Sequence, residues 1–460
     1  MAKSKTIYVC SECGAESPKW IGRCPQCGEW NTYQEEHIST ERGNALQGLG
    51  PTGVLTEAKA VTLNSVQQQD VTRMHTGNAE LDRVLGGGIV PGALMLIGGE
   101  PGIGKSTLVL QVALQLPCRV LYVSGEESVQ QIKLRADRLS QHLGPNAGSN
   151  CMVVSDTRID ALPQHIDQTK PDIVVVDSIQ TMQTERTDSL PGSISQIKES
   201  TALLMRVAKT RSLPILLIGH INKEGQLAGP KVLEHMVDVV LQFEGDRNHL
   251  YRILRGVKNR FGSTNEVGIF EMMGNGLREV SNPSEMLLGD YAGDLSGVAI
   301  AAAMEGARPF LIETQALVST AAYGTPQRNA MGFDVRRMNM LLAVLERRAG
   351  FKIAAKDVFL NLAGGIKVSD TALDLPIAAA VLSSSTDMAI ARGTCMAGEI
   401  GLSGELRPVA RTEQRVAEAR KLGFNRIIIA EGSRLMQVAT DGIEICRVSR
   451  LSDAFRLLFQ

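Results

Sequence analysis

The stretch that decides the fold is GGEPGIGKST, residues 98–107. In it Gly99, four further residues, Gly104, Lys105 and Ser106 are spaced as a phosphate-cradling loop. A short apolar run, ALMLI, precedes it. TLVLQVALQL follows it with helical periodicity and stops at Pro117. Strand, glycine loop and helix together make such a loop work. Backbone N–H groups converge on phosphate oxygens, and the helix N-terminus adds its positive end. The residues expected to hold nucleotide are therefore Gly99, Glu100, Pro101, Gly102, Ile103, Gly104, Lys105, Ser106 and Thr107. Lys105 would bring a point charge to the β and γ oxygens, and Ser106 a hydroxyl to Mg²⁺. ATP and Mg²⁺ are the expected ligands.

Working outward, RVLYVSG, DIVVVDS and PILLIGH repeat the apolar pattern of ALMLIGG. Short apolar runs bounded by turn residues suit buried, mainly parallel strands of an α/β sheet. Asp177 ends IVVVD, where a magnesium-directed carboxylate belongs. Glu126 and Glu127 follow RVLYVSG, and either could orient the attacking water. His220 ends PILLIGH and could sense the γ-phosphate, although a structural imidazole fits that position equally well.

Composition sets outer bounds. The chain has 460 residues, 43% hydrophobic and 21% charged, with net charge −1. That length holds more than one core, and the charge excludes a molecule that is basic all over, so any basic surface must be local. No apolar run reaches the length of a membrane span. MAKSKTIYVC lacks the apolar core of a secretory signal, so a cytoplasmic protein is expected.

Four of the eight cysteines fall in CSEC (10–13) and CPQC (24–27). Two Cys-x-x-Cys knuckles can turn four thiolates toward one point, so Cys10, Cys13, Cys24 and Cys27 are the expected ligands of a structural zinc. Gly14 and Gly28 follow each pair, where a tight turn favours positive φ. The other cysteines, Cys118, Cys151, Cys395 and Cys446, sit in apolar surroundings and read as packing residues. Lys19, Arg23, Trp20 and Trp30 are compatible with DNA or protein contact and decide neither.

LRGVKNRFGS, 254–263, sets Lys258 and Arg260 two apart. On a strand they would share a face. HINKEGQLAGPKVLEHMVDVVLQFEGDRNHLYRILRGVKNRFG and LDRVLGGGIVPGALMLIGG resemble RecA-type motors. The run Lys258-Asn259-Arg260-Phe261-Gly262 resembles the signature of the bacterial RadA (Sms) family, and the four-Cys ribbon and a C-terminal Lon-protease-like region come in that family's order. The resemblance implies a C4 zinc ribbon over 1–35, a linker over 36–60, a RecA-like P-loop core over 61–280 and a Lon-protease-like α/β domain over 281–460. It implies that ATP sits between subunits and that Lys258 and Arg260 complete a neighbour's site. A grip on DNA phosphates is the alternative for that pair. The family further implies a DNA-dependent ATPase of recombination and repair. Such a protein would be a homo-oligomer, in all expectation a hexameric ring, binding single-stranded and branched DNA, driving branch migration and partnering RecA.

AGEIGLSGELRPVARTEQRVAEARKLGFNRIIIA and DLPIAAAVLSSS resemble the Lon peptidase fold. The resemblance puts the nucleophilic serine just after Pro376, where Ile377 stands, and the lysine base near Glu413, with Arg411 and Arg415 close by. Ser383, Ser384 and Ser385 follow without an evident base. No peptidase activity is expected. Helices are expected over 336–348, closed by Gly350, and 411–422, before Gly423 and the strand RIIIA. The basic run Arg328, Arg336, Arg337, Arg347, Arg348 and Lys352 is a candidate DNA face. The polar loop QTERTDSLPGSISQ, 183–196, is the first candidate for a strand contact. The competing functions are an ATP-dependent Lon-like protease and an ATP-switched DNA-binding clamp.

Overall fold

The computed structural model describes residues 4–10, 14–39, 72–144, 146–220, 232–245, 251–289, 295–321, 325–435 and 441–459. The chain divides into two units, Met1–Asp246 with Arg252–Glu279, and Val280–Gln460 with Arg247–Tyr251.

The first unit opens with a small antiparallel sheet, β1 (Ser4–Cys10), β2 (Glu16–Ser17) and β3 (Tyr33–Ser39), in the order β2-β1-β3. Strand β3 runs through 36–39, residues expected to be linker, because it stays paired with β1 out to Ser39. The remainder of the expected linker, 40–60, lies outside the described residues.

The main body follows as α1 (Ala79–Leu85), β4 (Leu94–Gly99), α2 (Lys105–Gln115), β5 (Val120–Ser124), α3 (Val129–Ser140), β6 (Cys151–Ser155), α4 (Leu162–Thr169) and β7 (Ile173–Asp177). It continues through α5 (Ile194–Arg211), β8 (Ile215–Ile218), α6 (Val232–Met236), β9 (Val239–Glu244), β10 (Tyr251–Asn259), β11 (Val267–Met273) and β12 (Gly276–Glu279). The strands form one sheet in the order β12-β11-β10-β9-β4-β8-β7-β5-β6, and β9 through β6 run parallel. The four apolar runs predicted from sequence are β4, β5, β7 and β8, and every residue in them is buried. Alternation decides which side each serves. Leu94, Leu96, Val174 and Val176 enter one core, while Met95, Ile97, Ile173 and Val175 enter the core on the other face. Helices on both faces explain why no polar positions interrupt these strands.

Helix α2 ends at Leu116, whose backbone is extended at φ −60°, ψ 130°. Pro117 excludes the helical conformation from the residue before it. Helix α3 starts with a reciprocal cap between Ser128 and Gln131.

The second unit holds α7 (Pro283–Leu287), β13 (Val298–Glu305), β14 (Arg308–Thr320), β15 (Arg328–Met331), α8 (Val335–Ala349), β16 (Lys356–Leu362), α9 (Asp374–Thr386) and β17 (Thr394–Ala397). It closes with β18 (Glu399–Ile400), β19 (Leu406–Arg407), α10 (Thr412–Lys421), β20 (Arg426–Ala430), β21 (Glu444–Val448) and α11 (Leu451–Leu458). Its main sheet is ordered β15-β16-β14-β13-β17-β20-β21. Helix α8 is capped by Asp334 and ends on left-handed Gly350, as its sequence predicts. Asp374 to Ser383 of α9 are all buried, so this helix is a core element. Among the described residues, no helix is long and apolar enough to cross a membrane.

Candidate functional site

The glycine loop lies at the C-terminal end of β4, the end of a parallel sheet where ligands are received. Gly104 caps α2 at φ 113°, and a Cβ there would meet Met272 Cε at 2.6 Å. A Cβ on Gly99 would meet the Phe243 carbonyl at 2.6 Å, so both positions require glycine. Lys105 folds back on the loop, donating to the carbonyls of Gly99 (2.7 Å) and Glu100 (2.8 Å). Burial lowers its pKa to about 8, partly opposed by the charges of Asp177, Glu126 and Glu100. Arg252, buried in β10, braces the loop by donating from Nε to the Ile103 carbonyl at 3.2 Å.

Asp177, at the tip of β7, accepts from Ser106 Oγ at 3.2 Å and from the Tyr122 hydroxyl at 2.6 Å. Ser106 and Asp177 thus present adjacent oxygens of the kind Mg²⁺ takes. The two glutamates past β5 separate. Glu126 Oε1 accepts from Ser178 Oγ and lies 3.4 Å from His220 Nε2. The His220 contact, with help from Ser178 and from the charge on Lys105, lowers its pKa to about 2 against the opposing effect of burial. Glu127 turns away to pair with Arg135, and its N–H donates to Ser124 Oγ. Glu126, His220, Lys105, Ser106 and Asp177 are therefore brought together, and Glu127 is not.

Lys258 and Arg260 occupy the opposite end of the sheet. Asn259 pairs with Val239 and Gly99 with Phe243, four residues further along β9, so the pair sits about 13 Å along the strand from its own glycine loop. The expectation that the two cations share a strand face is not met, because β10 ends at Asn259 and Arg260 lies beyond it. Both cations nevertheless meet at the α6–β9 turn. Lys258 Nζ donates to the carbonyls of Glu234 (2.6 Å), His235 (3.2 Å) and Val237 (2.8 Å). Arg260 Nη1 lies 3.5 Å from the buried Asp238 carboxylate and remains 58% exposed. Lys258 titrates below its ordinary range, first through desolvation and then through Arg260.

In the small sheet, the sulfurs of Cys10, Cys24 and Cys27 lie within 4.8 Å of one another, and Cys10 and Cys27 are 3.7 Å apart. Tetrahedral zinc with Zn–S near 2.3 Å requires sulfurs about 3.8 Å apart, so the residues present fit that ion. Cys13 lies outside the described residues. Gly14 (φ 68°) and Gly28 (φ 82°) close the knuckles by donating to the carbonyls of Cys10 and Cys24.

In the second unit, Ile377 is fully packed in the first turn of α9, and Glu413 stands in the first turn of α10. Ser385 does have a lysine partner, contrary to the sequence reading: Lys356 Nζ donates to its Oγ at 2.9 Å. Ser383 and Ser384 accept from the backbone N–H groups of Gly297 and Val318. The basic run also needs correction. Arg337 is bound to the fully buried Asp374, while Arg336, Arg347, Arg348 and Lys352 are exposed. The 183–196 loop is tied down rather than free. Buried Gln196 donates to the carbonyls of Thr184, Thr187 and Ser189 and accepts from Thr184 N–H.

Sequence alone did not find Arg252 or Tyr122. The one available signal was a tyrosine in an otherwise aliphatic run. Family models match three stretches of the chain. A family model described as AAA domain matches 62–226, one described as Rubredoxin metal binding domain matches 8–35, and one described as Subunit ChlI of Mg-chelatase matches 319–433. The chain is 49% identical over 459 residues to the DNA repair protein RadA of Bacillus subtilis, covering 99% of each chain. Identity to the protein of that name in Listeria monocytogenes serovar 1/2a is 47% over 461 residues, again covering 99% of each chain. For Streptococcus pyogenes serotype M6 it is 44% over 461 residues and 100% of each.

Proposed function

The chain belongs to the family of the DNA repair protein RadA, and from that premise we propose that it is a DNA-dependent ATPase of recombination and repair, working in the cytoplasm. In this reading it assembles as a homo-oligomeric ring, a hexamer, binds single-stranded and branched DNA, and drives branch migration beside RecA. The observation that supports the chemistry is the convergence of Lys105, Ser106, Asp177, Glu126 and His220 at one end of the parallel strands.

The residues divide the work. The backbone of Gly99 to Thr107 cradles the phosphates, and Lys105 leaves its two carbonyls to meet the β and γ oxygens. Ser106 and Asp177 hold Mg²⁺, which when bound offsets the charge on those oxygens. Glu126, ionised at neutral pH, orients the attacking water, and His220 and Ser178 fix its direction. Lys258 and Arg260 lie too far from their own loop to act there, which favours supply to a neighbouring subunit's γ-phosphate. Cys10, Cys13, Cys24 and Cys27 hold a structural zinc.

The test is the ATP turnover rate with and without single-stranded DNA, for the parent and for Lys105→Ala. Stimulation by DNA that disappears with Lys105 is expected. A parent rate indifferent to DNA would overturn the motor reading and leave a nucleotide-switched clamp.

A further inference from the structure

The chain has two tryptophans, and both are on the ribbon surface: Trp20 is 54% and Trp30 67% exposed. Tryptophan carries a large apolar area and is highly buried on average, so a pair left in water marks a contact surface. The two indoles also converge. A Cβ built on Gly22 would lie 3.6 Å from the Trp20 ring and 4.0 Å from the Trp30 ring, so both rings come close to the bare backbone of Gly22. Arg23 extends over the Trp30 ring, its guanidinium 5.7 Å from the centroid, and is held there by its Nε donating to the Gly28 carbonyl at 2.9 Å. Lys19, also exposed, adds a second cation, and neither is ion-paired among the described residues.

We propose that the zinc ribbon carries a stacking platform for unpaired bases, with Trp20 and Trp30 as its faces and Arg23 and Lys19 meeting the flanking phosphates of single-stranded nucleic acid. Flat aromatic faces accept any base, and adjacent cations follow the backbone, a combination that binds single strands without reading their sequence. A protein partner would be expected to meet a wider aliphatic surface, whereas the exposed large hydrophobic residues of the described ribbon are the two tryptophans and Ile21. The Gly28 contact fixes Arg23 before binding, so little side-chain freedom is lost when a strand arrives. The platform rests on the single-strand reading given above and places part of that binding on the ribbon, apart from the ATP site.

Because no other tryptophan exists in the chain, indole emission reports on this patch alone. The zinc-loaded full chain, without ATP, is titrated with oligothymidylate carrying a terminal dye, and dye anisotropy and indole emission are followed together. Quenching with the same midpoint as the anisotropy is expected. Trp30→Ala should weaken binding at least about fivefold, as one lost base stack predicts, and Trp30→Phe should recover most of it. Zinc content of each variant shows that the ribbon remains folded. If anisotropy rises while emission stays unchanged and Trp30→Ala binds normally, the platform is overturned and single-strand binding stands elsewhere. If anisotropy does not rise at all, both readings fall. Emission that ignores DNA but shifts to the blue with purified RecA makes the patch a protein interface and also overturns the proposal.

Discussion

Glu126 and His220 meet at 3.4 Å across the tip of β7, the strand that lies between theirs in the sheet. Ser178, directly after that tip, donates to the same carboxylate oxygen. Three neighbouring strands therefore fix one acid, while its neighbour Glu127 is held by Arg135 on α3. Glu126→Gln should lower ATP turnover about 10²-fold, the usual cost of a misplaced reactant, and leave nucleotide binding intact. Glu127→Gln should change turnover less than about twofold, since it removes a partly exposed ion pair. Single-turnover hydrolysis alongside equilibrium nucleotide binding checks both; equal losses in the two variants would reverse the assignment.

The lowered pKa of Lys105 makes nucleotide binding depend on pH in a definite direction. The free ammonium loses its proton near pH 8, whereas a bound phosphate holds it charged. Binding above pH 8 should therefore take up a proton, and affinity should fall as pH rises. Calorimetry in buffers of different ionisation heat measures that uptake directly. Lys105→Arg, which stays charged throughout, should bind with no proton uptake from this position.

The distance of Lys258 and Arg260 from their own loop predicts complementation. Arg260→Ala and Lys105→Ala chains should each be inactive alone. Mixed and allowed to reassemble, they should recover part of the turnover, because some seams then join an intact loop to an intact arginine. A mixture as inactive as its components would place both residues in one chain's site. Lys258→Ala is the poorer variant for this purpose, since it also removes the donor to three carbonyls at the end of α6.

Arg337 faces a fully buried carboxylate, which sets it apart from its basic neighbours. Burial raises the Asp374 pKa, opposed chiefly by the Arg337 pair and then by the Ile400 N–H. Arg337→Ala should cost about 3 kcal/mol of stability in the second unit, because it strands a buried charge. Arg347→Ala, an exposed position, should cost less than about 0.5 kcal/mol. Urea unfolding of the two variants separates the structural arginine from the surface ones.

The core strands and the glycine loop were legible because their signals are local. A strand buried on both faces must be a continuous apolar run, and a phosphate cradle must be glycine-rich. What escaped depends on distant partners. The Ile103 carbonyl reached by Arg252 is 149 residues away in sequence, and the Asp177 carboxylate reached by Tyr122 is 55 away. Glu126 and Glu127 look equivalent in sequence, and Arg135 on α3 claims the second of them. Arg337 belongs by composition to a basic face, yet Asp374, 37 residues later, claims it. Lys356 and Ser385 were missed in the same way, one on β16 and the other in the last turn of α9.

Gln196 gives the 184–189 loop a mechanical character that its polar composition hides. One amide acts as a rivet, so the segment is a stiff edge instead of an entropic spring. A molecule docking against that edge meets a contour already set and forfeits little freedom in doing so. Without the rivet the same residues would have to be frozen anew at each encounter.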